Sequence, residues 1–201
     1  MKFAGSVVVA TLVLGWSISA QQPANGPVFS PSGELLRPQN YREWVFLTSG
    51  LGMTYGPAAE GQSRQSPFFD NVFVNRSSYE AFVKDGRWPD KTMFILEGRR
   101  SLDNVSINNG GRTQGDRAFI EAAVKDVQRF KETGGWAYFS FDSPNGLVNS
   151  VKPLPMTAPC YACHANNTAV ENTFVQFYPE LFEIARQKGT VKATYDPNKK
   201  P

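Results

Sequence analysis

Apolar and polar residues change rhythm several times along this 201-residue chain, and each change predicts an element. Residues 3–18 are almost wholly apolar or small, follow the positive start Met1-Lys2 and give way to Ser19-Ala20. A charged start, an apolar run and a small-residue exit predict a secretory signal peptide over residues 1–20, cleaved near Ala20. The run is at the short end for a retained membrane anchor. Residues 21–33, rich in Gln, Pro, Gly and Ser, read as a linker or loosely held arm. Residues 41–46 predict one or two helical turns with Asn40 as N-cap, and residues 50–66 a polar loop. Residues 68–75 and 92–97 have strand composition, the second apolar on both faces as in a covered sheet. Between them, Ser77 or Ser78 caps a short helix carrying Tyr79, Phe82 and Val83 and closed by Gly86. Trp88-Pro89-Asp90 then turns the chain.

Further along, residues 104–115 have the Asn and Gly density of a flexible loop. Residues 117–130 fit two periods. Ala118, Phe119, Ala122, Ala123 and Val127 suit a helix, whereas Ala118, Ile120, Ala122 and Val124 alternate as in a strand. The second half reads better as strand, because Gly134-Gly135 and the strand pattern of 136–142 follow at once and complete a hairpin. A last helix is predicted over residues 179–188, with Pro179 at its first position and Gly189 as its stop. Residues 191–201 read as a flexible tail.

Composition changes the picture at one place. The chain has two cysteines and one histidine, and Cys160-Tyr161-Ala162-Cys163-His164 contains all three. This is the pattern of a c-type haem attachment site. Two thiols three residues apart reach the two vinyl groups of one porphyrin, and the adjacent imidazole swings beneath the iron. A thioredoxin-like redox pair shares the cysteine spacing but gives the next histidine no task. A structural zinc site needs four ligands, and no second cysteine pair or further histidine completes one. A plain disulfide is the third alternative. The secretory start agrees with haem attachment outside the cytoplasm, so a periplasmic or secreted location is expected. Cleavage leaves about 180 residues, enough for one domain with a core and a cofactor pocket. The net charge of +3 is small and spread along the chain, without the basic cluster that nucleic acid binding needs.

With His164 on one side of the iron, no second histidine remains for the other, which excludes bis-histidine ligation. Methionine is the next candidate and would suit electron transfer. Met53 lies near a loop, Met93 inside an apolar strand that reads as core, and Met156 only four residues before the motif. If none of them binds, the iron is five-coordinate and open to small gases such as NO or CO.

Several segments resemble the cytochrome P-460 family, which includes the cytochromes c′-beta. They are Gly33-Glu34-Leu35-Leu36, Asn40-Tyr41-Arg42-Glu43-Trp44-Val45, Val72-Phe73-Val74-Asn75 with Ser78-Tyr79, and residues 86–97. Val124-Lys125-Asp126, Gln128-Arg129-Phe130, Trp136-Ala137, the haem motif and Phe177-Tyr178-Pro179 complete the ordered set. The resemblance implies an α+β fold: a single antiparallel β-rich domain over residues 34–190 with short flanking helices, commonly paired as a homodimer. It implies one haem with a proximal histidine and a vacant distal position; with the motif this makes one haem c, covalent through Cys160 and Cys163, and a redox partner protein is a further expectation. In the cytochromes P-460 proper, a lysine on the strand after the Gly-x-x-x-Asp-x-Thr turn is also bonded to the porphyrin and accompanies oxidation of hydroxylamine and NO. That position here is Leu96, which forms no such bond, and Lys91 and Lys125 do not occupy it. The replacement looks more like cytochrome c′-beta, in which apolar distal side chains favour small uncharged gases.

By strand alternation Phe94 shares the face of Leu96, and Pro67-Phe68-Phe69 resembles the segment that brings a distal phenylalanine. Phe68, Phe69, Phe94 and Leu96 are therefore the expected distal wall. Glu97, Glu121 and Asp126 are the candidate proton shuttles, should one of them face the pocket. The resulting expectation is a gas-binding haem protein, with hydroxylamine or NO oxidation and Met-ligated electron transfer as alternatives.

Overall fold

The computed structural model describes residues 25–54 and 67–198. The signal peptide and residues 55–66 of the expected loop lie outside the described residues. The frame is a five-stranded antiparallel meander: β2 (Val45–Leu51), β3 (Phe68–Val74), β4 (Met93–Asp103), β5 (Arg112–Lys125) and β6 (Trp136–Ser140), in that spatial order. A two-residue strand β1 (Leu35–Leu36) pairs with β9 (Ser150–Val151), and β7 (Asp142–Ser143) with β8 (Gly146–Leu147). Among the described residues three α-helices accompany the sheet: α1 (Arg76–Asp85), α2 (Pro159–Asn167) and α3 (Pro179–Gln187). The fold is thus α+β and antiparallel, as the resemblance implies. Among the described residues no helix is long and apolar enough to cross a membrane.

Strand alternation sorts the side chains into two cores, one on each face of the sheet. Phe73, Met93, Ile95, Ile120, Ala122 and Val124 bury themselves on one face together with Leu35, Tyr41 and Trp44 from the N-terminal segment. Val74, Phe94 and Trp136 point to the other face and pack with Phe82 of α1, Leu181 and Ala185 of α3 and the chain around Val170 and Val175. The sheet is covered on both sides, which explains why β4 begins with an uninterrupted apolar run.

Several boundaries differ from the sequence expectation. Only Tyr41–Glu43 forms a helical turn, and the chain then enters β2, whose alternation is broken by a bulge between Phe46 and Thr48. Helix α1 starts two or three residues earlier than Ser77 or Ser78 would place it, after Asn75. The Asn75 carbonyl accepts from Ser78 N, while its side chain accepts from Met93 N at 2.8 Å. Gly86 closes the helix in the left-handed conformation at φ 67°, as expected. Residues 117–125 are strand throughout, and β5 takes residues 112–115 out of the expected loop as well. The haem motif is helical, and Pro159 occupies an N-terminal position of α2. Neither end of the described chain hangs free. Phe29, in the expected arm, packs at 6.2 and 6.4 Å from the rings of Phe130 and Phe139, and Val191 and Tyr195, in the expected tail, pack against the second core.

Candidate haem site

Helix α2 places Cys160 and Cys163 three residues apart and His164 four residues after Cys160, so that all three share one side of a short helix. They line a cavity of about 560 Å³ between α2, the chain from Asn172 to Pro179 and the second face of the sheet. Both cysteines are free thiols. His164 Nδ1 lies 2.8 Å from the carbonyl oxygen of Asn172. A carbonyl only accepts, so Nδ1 carries the proton and donates, leaving the lone pair on Nε2. This is the arrangement that orients a metal-binding imidazole and raises its donor strength. Burial holds the His164 pKa below the ordinary imidazole value, so the ring is neutral at neutral pH. Tyr138 and Phe174 clasp the imidazole at ring distances of 4.3 and 4.6 Å.

Across the cavity the sheet presents Val72 from β3, Phe94 and Leu96 from β4, and Glu121 and Ala123 from β5. Register brings them together: Leu96 pairs with both Val72 and Glu121, and Phe94 with Ala123. Phe94 and Leu96, two of the expected wall residues, both line the cavity. Glu121 opens onto the cavity, and its carboxyl is pushed above the usual range by burial, reinforced by the negative charges of Asp142 and Asp70.

The other expected wall residues do not reach the cavity. Phe69 alternates with the cavity-lining Asp70 and so faces the opposite side of the sheet, paired with Leu51 and Arg99. Phe68 is on the cavity side of β3 but at its outer end, where its ring meets Phe119 edge-on at 5.7 Å beneath the Arg100 guanidinium. Two of the three proposed proton shuttles are likewise placed elsewhere. Glu97, one residue from Leu96, points through the sheet to the first core. There, fully buried, it accepts from Tyr41 at 2.9 Å and pairs with Arg42 and Arg99. Asp126 lies just past β5, paired with Lys91 at 2.5 Å and accepting from Arg129 N at 3.0 Å. Lys125 is taken by Glu171 at 2.7 Å and by the Trp88 carbonyl. Of the methionines, Met53 lines the cavity, Met93 is buried in the first core, and Met156 is 59% exposed and outside the cavity.

The sequence reading missed Tyr138, Asn172 and Phe174. Alternation along β6 could have placed Tyr138 on the face of Trp136. Asn172 acts through its backbone, which no side-chain motif reveals.

The donors and walls of the site decide which group it can hold. Two free thiols and a neutral imidazole open onto one cavity whose volume falls within the range of cofactor pockets, roughly 300–1,000 Å³. The walls are largely aromatic and aliphatic. Among the described residues the Tyr138 hydroxyl is the one buried side-chain oxygen or nitrogen without a hydrogen-bond partner, and it belongs to the cavity wall. An unpaired buried hydroxyl costs about 1–3 kcal/mol, which marks a place where a bound group supplies a partner. The residues fit a haem. They do not fit a zinc ion: among the described residues no three His, Cys, Asp or Glu side chains are grouped to hold a metal.

Comparison with curated proteins gives no match. The family model described as Cytochrome P460 matches residues 38–175, a span that runs from just before the Tyr41 turn through the haem motif to Val175. The chain belongs to the cytochrome P460 family, a family of haem cytochromes.

Proposed function

We propose that this protein is an exported monohaem c-type cytochrome whose iron keeps an open axial position for NO or a similar small gas. Cys160 and Cys163 would hold the porphyrin by thioether bonds, and His164 would bind the iron. The observation that carries this reading is the convergence of two free thiols and an Nδ1-anchored imidazole on one apolar-walled cavity. When bound, the haem supplies an iron that takes a small ligand and exchanges an electron. The chain does the rest. The Asn172 carbonyl fixes the His164 tautomer, while Phe94 and Leu96 present hydrocarbon where water or an anion would need hydrogen bonds. Leu96 stands at the position of the cross-linking lysine, so the family's second porphyrin bond is not expected.

Replacing Leu96 with Ala removes part of that wall and should speed NO or CO association with the ferrous protein several-fold. Flash photolysis on the haem-loaded variant reads this directly. An unchanged association rate would remove Leu96 from the ligand path.

One observation favours a second reading, oxidation of hydroxylamine or NO at the same iron. Glu121 opens onto the cavity with its pKa raised, so it takes up and releases a proton closer to neutral pH than an ordinary carboxylate. Turnover of hydroxylamine with an added electron acceptor, lost in Glu121→Gln, is the result that reading requires. Turnover no faster than that of free haem would remove it.

A further inference from the structure

The segment after α3 does more than end the chain. Gly189, left-handed at φ 65°, stops α3. The next residues run back to α2, where Lys192 N donates to the Ala169 carbonyl at 2.8 Å. Lys192 Nζ donates to the Ala165 carbonyl at 3.0 Å and to Thr168 Oγ1 at 2.9 Å. Thr168 Oγ1 in turn lies 2.5 Å from the carbonyl oxygen of His164 itself. The ammonium is therefore one buried hydroxyl away from the backbone of the proximal histidine. It also sits at the C-terminal end of α2, where carbonyls lack intrahelical partners and the helix dipole is negative. The flanking Val191 and Tyr195, partly buried, pack against the second core, with Tyr195 and Phe182 ring centroids 5.7 Å apart, so the lysine is anchored on both sides.

We propose that Lys192 is a positioning residue that sets the reduction potential of the haem: it clamps the end of the haem-binding helix and holds a positive charge beside the proximal ligand. The inference rests on the haem reading above. A fixed positive charge near the iron favours the state that holds one more electron, and it weakens the electron donation of the imidazole, which acts in the same direction.

The test is the midpoint potential of the haem-loaded full chain in three variants. Lys192→Gln keeps an amide donor for the Ala165 carbonyl and loses the charge, Lys192→Met keeps only the length of the stem, and Lys192→Arg keeps the charge. Both neutral variants should have a lower potential than the parent protein, while Arg restores it. Each tenfold loss in the reduction equilibrium reads as a fall of about 59 mV. Two neutral variants are compared so that the loss of one to misfolding still leaves a reading. A neutral variant that melts at a lower temperature yet keeps the parent potential would reduce Lys192 to a helix cap and overturn the proposal. A parent protein that carries no covalent haem would instead overturn the haem reading, and the two failures are distinguished before any variant is compared.

Discussion

Two carboxylates of the same sheet show how one residue of alternation decides chemistry. Glu97 and Glu121 lie on neighbouring strands, but Glu97 turns to the first core and is held by Tyr41, Arg42 and Arg99, whereas Glu121 turns to the cavity beside Leu96. The first is structural. The second is the one expected proton shuttle that the fold brings to the site. Its folded-state pKa is raised by burial and by the nearby Asp142 and Asp70, so the native protein keeps this proton to higher pH than the unfolded chain does. Linkage then has a definite sign: the stability Glu121 contributes is present below its unfolded pKa, about 4.3, and is lost as pH rises through the raised folded value. The uncharged Glu121→Gln should match the parent in acid and become relatively more stable towards neutral pH. Thermal melts across that range check it, and a difference that is constant with pH would show that Glu121 is not held in a low-dielectric wall.

At the level of the elements, the site depends on a sheet whose register is locally irregular. The bulge in β2 lets Thr48 share the cavity side with Asp70 and Val72. In β4, Gly98 makes room for Phe119 on the paired strand: a Cβ there would lie 2.1 Å from the Phe119 ring. Gly98→Ala therefore overpacks the end of the cavity-side face and should cost about 1–3 kcal/mol, read by denaturant unfolding. An unchanged midpoint would mean that Phe119 swings aside without loss. The same ring explains why Phe68 does not reach the cavity, since it packs on Phe119 instead. Helix α2 is short and has no fully buried residue of its own. Its position comes from tertiary partners, among them the Asn172 carbonyl on His164 and the Lys192 ammonium on its last turn.

For the whole molecule, what was legible in the sequence was what rests on local chemistry. The haem motif needs only five consecutive residues, and Gly86 and Pro179 punctuate helices by their own backbone restrictions. The face shared by Phe94 and Leu96 followed from alternation within a single strand. What was not legible depends on partners distant in sequence. The first two residues of β2, Val45 and Phe46, looked helical because its entry turn is helical, its last two looked like loop, and the bulge disrupts the alternation that would have revealed the strand. The arm at Phe29 and the tail at Lys192 and Tyr195 looked loose because each is ordered by contacts with a remote segment. Phe68 and Phe69 were both expected on the distal wall, but neighbours on a strand face opposite ways, and the register of β3 with β2 and β4 shows that Phe69 turns away from the cavity. The central claim concerns the assembled site: a His164-ligated haem with an open opposite position. Its most direct test is the absorption spectrum of the ferrous, haem-loaded protein before and after addition of CO. A high-spin spectrum that shifts on adding CO is the predicted result. A low-spin spectrum indifferent to CO would contradict it, and would point to Met53, which among the described methionines lines the cavity, as the second ligand of an electron-transfer haem.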